Sequence, residues 1–141
     1  MEDLLKALDN DDNAYLLDLS KTKIKQQKND ILQQVQFHGT TLKYLHEKLE
    51  DYRYICDAGS LRIGAYIRWM NLHKIGDTIV EKLLTNGAII CDWKLLDNGL
   101  HVICKTNNHK IIQIKFDENL IFQKLTQQEQ VLLSVIQYIQ H

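Results

Sequence analysis

CDWKLLDNGLHVICK, Cys91–Lys105, decides how the second half of this chain is read. Asn98-Gly99 sits between two alternating apolar runs, the strongest short-range hairpin signal. A two-residue Asn98-Gly99 loop pairs Asp97 with Leu100 and Leu95 with Val102. It also pairs Trp93 with Cys104 and Asp92 with Lys105, so apolar meets apolar on one face and opposite charges meet on the other. A three-residue loop shifts the pairing by one and exchanges the faces, so the two-residue loop is preferred.

Downstream, a three-residue turn at Asn107–His109 aligns Cys104 with Ile112 and Val102 with Ile114. A similar turn in FDENL aligns Phe116 with Leu120 and Ile114 with Phe122. The expected core face then runs Ile89, Cys91, Trp93, Leu95, then Leu100, Val102, Cys104, then Ile112, Ile114, Phe116, then Leu120 and Phe122. Ile90, Ile103, Ile111 and Ile121 on the opposite face imply that this side is covered as well, by helices. TQQEQVLLSVIQYIQ closes the chain as a helix, with Thr126 and Glu129 as its capping box and Val131, Leu132, Val135, Ile136 and Ile139 as its stripe.

Upstream, SLRIGAYIRWMNLHK (Ser60–Lys74) alternates as a strand. Leu61, Ile63, Ala65, Ile67 and Trp69 share one parity; Arg62, Gly64, Tyr66, Arg68 and Met70 share the other. Residues 75–86 read as a short helix with Thr78 and Glu81 as capping box, or as a strand pair turning at Asn86-Gly87; the helix is preferred. Before Gly59 the apolar spacing turns helical. Glu2–Leu8 reads as a short helix broken by DNDDN. A second helix starts at Ser20 as N-cap, buries Ile24, Ile31, Leu32 and Val35, and ends with Gly39 near its C-cap. A third carries Leu42, Leu45, Leu49 and Tyr52 on one face.

The expected fold is α+β: an N-terminal helical hairpin, an antiparallel meander of about five strands or a small SH3-like or Sm-like barrel, and a C-terminal helix. Residues 1–59 form a helical segment docking on the sheet; residues 60–141 form the sheet or barrel with its helix.

Composition narrows function. With 45% apolar and 25% charged residues the chain can bury a core. A net charge of −1 supplies no global field toward nucleic acid or anionic membrane, so such contact requires a local patch. MEDLLKALDNDDN has no charged leader followed by an apolar run, and no stretch approaches the roughly 20 apolar residues of a membrane span. Three widely spaced cysteines, Cys56, Cys91 and Cys104, point to reduced thiols and an intracellular compartment. Proline is absent and Ile, Lys, Asn and Gln are frequent, a bias that AT-rich coding produces for all but Gln.

Chemistry-bearing patterns are sparse. Zinc ligands come in short-spaced pairs, and neither C-x-x-C nor H-x-x-H occurs. Cys91 and Cys104 therefore read as small buried hydrophobes, and the six histidines as solvated or capping groups. Asp92 and His101 share the expected outer face without a nucleophile beside them, and no Gly-rich phosphate loop is present. The expectation is a non-enzymatic protein with no metal or cofactor. Two basic features stand out: Lys21, Lys25 and Lys28 at helical spacing, and Arg62, Tyr66 and Arg68 on one strand face, an aromatic between guanidiniums. They are the candidate surface for a protein partner or a nucleic acid; a solvated helix face and a sheet decorated with snorkelling arginines are the plain alternatives.

GAYIRWMNL, LLTNGAII and NLIFQKL resemble segments of small uncharacterised proteins of large eukaryotic DNA viruses. There a G-x-Y-I-R/K-x-I-N-L strand precedes a G-G-I/F-I strand, and an I-F-x-K strand closes a small barrel. The resemblance covers Gly64–Leu125, with Asn86-Gly87 in place of the paired glycines. It implies a viral origin and a barrel-like sheet, and it carries no catalytic residues. The expected function is thus an assembly or adaptor protein, intracellular or virion-associated, that binds a protein partner or its own copies. The alternative is a small-barrel nucleic-acid binder.

Overall fold

The computed structural model describes residues 20–140, so the expected helix Glu2–Leu8 lies outside the described residues. These residues form an α+β fold of four α-helices and one antiparallel sheet. The helices are α1 (Lys21–Gln34), α2 (Gly39–Lys48), α3 (Val80–Leu83) and α4 (Gln127–Gln140). The strands are β1 (Tyr52–Ile55), β2 (Tyr66–Asn71), β3 (Ala88–Leu96), β4 (Gly99–Lys105), β5 (Ile111–Lys115) and β6 (Asn119–Lys124), in the spatial order β1-β6-β2-β3-β4-β5.

The helical hairpin forms as its spacing requires. The Ser20 hydroxyl accepts from the Lys23 amide at the start of α1, and Ile24 and Leu32 are buried. The end of α1 differs from expectation. Gln36, not Gly39, takes the left-handed position (φ 77°). Its N–H donates to the Gln33 carbonyl and that of Phe37 to the Leu32 carbonyl, the paired bonds of a Schellman cap. Gly39 instead opens α2. Leu45 and Leu49 are buried, but Tyr52, the last member of that stripe, already belongs to β1. Tyr52–Ile55, inside the segment read as helical, is therefore an edge strand of the sheet, paired with β6.

The Asn107–His109 turn gives the expected register, Cys104 opposite Ile112 and Val102 opposite Ile114. The β3–β4 hairpin is displaced from expectation by two residues. Its loop is Asp97-Asn98, Leu95 lies opposite Leu100, and Trp93 lies opposite Val102. Neither loop residue has positive φ; Gly99, at φ 119°, supplies it as the first residue of β4. A two-residue slip preserves side-chain parity, so apolar–apolar matching alone does not discriminate between the two registers. A bulge between Ile90 and Asp92 then exchanges the faces on its N-terminal side only, so Trp93 and Leu95 stay on the side of Val102 and Leu100. Ile90 is buried opposite Cys104, while Ile89, Cys91, Trp93 and Leu95, all expected in the core, are exposed.

The FDENL hairpin does not form. Phe116–Glu118 is a 3-10 turn, and β6 leaves β5 to lie between β1 and β2, with Phe122 opposite both Tyr54 and Arg68. Leu120, Ile121 and Phe122 are consecutive and all buried, which demands a strand covered on both faces. The displacement also defines the curvature. In a flat sheet β5 and β6 would stand roughly 19 Å apart at four strand spacings. The four residue steps from Lys115 to Asn119 reach at most roughly 14 Å. The sheet therefore curls to bring β5 back toward β6, yet it stays open.

Its inner face packs Ile55, Ile67, Trp69, Ile90, Val102, Cys104, Ile114 and Ile121 into one cluster. Its other face, from Tyr52, Met70, Leu120 and Phe122, takes the helical hairpin through Leu32, Leu45 and Leu49, with Leu83 and Leu84 alongside. Of the four isoleucines expected beneath the helices, Ile90 and Ile121 belong instead to the inner cluster and Ile111 is exposed.

Residues 75–86 contain the preferred short helix, without the Thr78–Glu81 box; Ile79 is the N-cap and makes no side-chain bond. The box at the last helix is present in both directions. The Thr126 N–H donates to Glu129 Oε1 (2.9 Å) and the Glu129 N–H to Thr126 Oγ1 (3.1 Å). Glu129 is 2% exposed. Burial pushes its carboxyl above the ordinary value of 4.5, and the Thr126 amide opposes this. A folded-state pKa above the unfolded one stabilises below pH 4.5, and that contribution is lost as pH rises through the folded value. Glu129→Gln keeps an oxygen acceptor for Thr126 and removes the titration. Denaturant melts from pH 4 to 7 are expected to show the variant gaining on wild type as pH rises; parallel profiles would contradict this.

Candidate functional site

The six basic and aromatic residues singled out in the sequence do not make one surface. Lys28 is buried, and its Nζ donates to the carbonyls of Leu49 (2.7 Å) and Glu50 (3.3 Å) at the C-terminal end of α2. Cations are favoured there by the helix dipole. Burial lowers its pKa, and the charges of Asp51 and Glu50 oppose that shift. Lys28 thus ties α1 to α2. Lys21 and Lys25 remain exposed, beside a groove of about 270 Å³ that Glu50 and Asp51 also line, so its charge is balanced.

Tyr66 and Arg68 lie on the helix-covered side of β2. The Tyr66 hydroxyl donates to the Asn86 carbonyl (2.6 Å). Arg68 Nε donates to the Thr85 carbonyl (2.8 Å) and Nη1 to that of Lys48 (3.4 Å). These bonds hold β2 to residues 85–86 and to the end of α2. Arg62 lies in the loop before β2, where its N–H donates to Gln123 Oε1 (3.1 Å). Gln123 is buried, and its Nε2 also donates to the Ser60 carbonyl (3.2 Å). Gln123 follows the apolar run Leu120–Phe122, and a lone polar residue there was the available signal that it anchors the Ser60–Arg62 loop.

Among the described residues no group of three or more His, Cys, Asp and Glu side chains could hold a metal. Burial pushes the Cys104 thiol up to about 12, with the nearby Cys91 adding to the shift, so it is not a ready nucleophile. His101 bonds Asn98 through Nε2 (2.8 Å) and Gln113 through Nδ1 (3.0 Å), while Asp92 accepts from the Trp93 amide, so no Asp92–His101 dyad exists.

Two surface features remain. The first is the open seam where β5 faces β2 and the start of β6, with two adjoining hollows of about 400 and 220 Å³ that share Trp69 and Thr85. Lys74, Lys82, Lys110 and Lys115 line it, with Glu118 as its carboxylate, 3.8 Å from Lys115. The second is the outer arm of the β3–β4 hairpin. Beyond Ile90, β3 leaves the body of the sheet. β2 pairs with it only at Ala88 and Ile89, and the Gly64–Ile90 and Ile90–Ala65 backbone bonds extend this contact by one residue. From Cys91 to Leu96 that edge has no pairing strand among the described residues. On one face of the arm Trp93 is 43% exposed and Leu95 82%, opposite Val102 and Leu100. Large apolar side chains on an open strand edge are what a sheet ordinarily avoids.

No protein-family model, curated protein or solved structure matches the chain. The two surfaces therefore rest on their own chemistry. Among the described residues no helix is long and apolar enough to cross a membrane.

Proposed function

We propose that this chain is a non-enzymatic assembly or adaptor protein that works by protein–protein contact through its β3–β4 arm. The observation that carries the reading is the arm itself: an unpaired strand edge with Trp93 and Leu95 projecting beyond the core. Strand edges bind proteins by main-chain hydrogen bonds, with alternate side chains supplying specificity. The curled sheet with its short turn at Phe116–Glu118 supports reading β2–β6 as a small SH3-like or Sm-like barrel left open at one seam. An intracellular or virion-associated setting belongs to the same proposal. It rests on the free thiols and on the viral resemblance of residues 64–125.

Light scattering after size-exclusion chromatography, with affinity capture by wild-type and Leu95→Glu chains, tests this. Association with protein, self or other, that Leu95→Glu abolishes is expected. A strict monomer that captures no protein in a Leu95-dependent way would overturn it.

The seam favours a second reading, nucleic-acid binding. Its four lysines flank the polar groups of Asn71, Asn86 and Asn119. In that case labelled oligonucleotides bind at low salt, weaken steeply as salt rises, and lose affinity on Lys82→Glu. Absence of binding at low salt removes this reading.

A further inference from the structure

We infer that the occupant of the β3 edge is a second copy of this chain. Two Cys91–Leu95 segments pair antiparallel across a two-fold axis that passes through Trp93. The inference rests on the assembly reading above and names its partner.

The backbone of the edge is turned outward. The Trp93 N–H makes its bond at 2.8 Å with Asp92 Oδ1, the side chain of its own neighbour. An amide bonded in this way is not donating to β4. In an antiparallel strand alternate residues direct both backbone groups to the same side, so Leu95 presents its N–H and C=O outward with Trp93. The Asp92 carboxylate thus occupies the place of a missing strand.

Charge and parity then select the register. When a strand pairs antiparallel with its own copy, the residue on the axis faces itself. An axis at Asp92 sets two carboxylates opposite each other, and an axis at Lys94 sets two ammonium groups opposite each other; both are destabilising. An axis between residues sets Trp93 opposite Asp92 or Lys94 and mixes the faces. An axis at Cys91 brings the second copy onto Ile89 and Ile90, whose outer edge β2 and the Gly64–Ala65 loop already hold. An axis at Leu95 overhangs the Asp97-Asn98 turn and leaves Lys94 facing Leu96.

With the axis at Trp93 the rows agree. Asp92 lies opposite Lys94 of the second copy, twice by symmetry. Cys91 lies opposite Leu95, and the two Trp93 residues face each other and exchange both backbone bonds. Asp92 then leaves the Trp93 amide for Lys94 of the second copy. Five residues a side, Cys91–Leu95, make a contact smaller than a standard interface, so the dimer is concentration-dependent. The pairing is isologous and closes at two copies.

Sedimentation velocity on the full chain, from roughly micromolar to sub-millimolar concentration, tests the inference. Wild type is expected to show reversible monomer–dimer exchange, and Trp93→Ala to weaken it at least about tenfold. Asp92→Lys and Lys94→Asp are each expected to weaken dimerisation, and the double variant to restore it, because the opposite-charge pairs return with signs exchanged. Thermal melts confirm that these exposed substitutions leave the monomer folded. A dimer indifferent to the charge exchange overturns the inference. So does a monomer at every concentration; if Leu95-dependent capture of another protein persists in that case, the assembly reading stands with a different occupant.

Discussion

Gly87→Ala is expected to destabilise the protein by about 3 kcal/mol or more. Gly87 stands at φ 100°, a region that L side chains rarely adopt. A Cβ there would lie 2.6 Å from the Ile67 carbonyl oxygen and 2.6 Å from Tyr66 Cε1. The oxygen is backbone in a central strand and cannot swing away. The Tyr66 ring is held through its hydroxyl by the Asn86 carbonyl. Relief of the clash would pull apart the two rungs joining β2 to β3, Tyr66–Ile89 and Ile67–Ala88. Gly99→Ala is the matched control. Its φ is also positive, but a Cβ would meet only the ends of the Asp117 and Lys115 side chains, at 3.3 and 3.4 Å. Urea titrations should show the Gly87 variant losing at least twice what the Gly99 variant loses. Equal losses would mean that φ strain alone matters and that the approach to β2 does not.

Phe122→Ala is expected to cost about 3–5 kcal/mol, a large fraction of the 5–15 kcal/mol that stabilises an ordinary domain. Phe122 is 0% exposed at the middle of β6. It packs with Leu32, Leu45 and Leu49 of the helical hairpin and with Met70 of β2, and its ring centroid lies 5.7 Å from that of Tyr54. Alanine would leave a cavity under both helices at once. Phe122→Leu fills much of that space, and about 1 kcal/mol is expected for it. Denaturant melts followed by far- and near-ultraviolet circular dichroism read both variants. A loss under about 2 kcal/mol for the alanine variant would mean that the helical pair is not seated on β6.

These two residues show where sequence reasoning reached and where it stopped. Phe122 belongs to the core as expected but on the other face and in another pairing: it lies beneath the helices, not with Val102 and Ile114, and its neighbours are β1 and β2, not β5. Gly87 was noticed as part of a turn signal, and its close approach to β2 was not visible. Among the candidate site residues, Lys21 and Lys25 stay on the surface. Lys28, at the same helical spacing, is drawn inward by carbonyls 21 and 22 residues away. Arg68 is likewise held by the carbonyls of Thr85 and Lys48. A basic residue's spacing shows which face it can occupy; the acceptors it meets decide whether it stays there.

Elements governed by near neighbours were legible along the chain: the Ser20 and Thr126 caps, the Asn107–His109 register, and the α+β division into helices and antiparallel strands. Each depends on bonds between residues a few positions apart, whose strength local geometry sets. Contacts between distant segments settled the remainder. The β3–β4 register slipped by two because parity is blind to even shifts, and the bulge near Cys91 appears only when the strand must also meet β2. The place of β6 depended on burying both its faces at once, beneath helices and within the curl of the sheet. The same curl carries β3 beyond the body at Cys91, and so leaves Trp93 and Leu95, by pattern core residues, on an open edge.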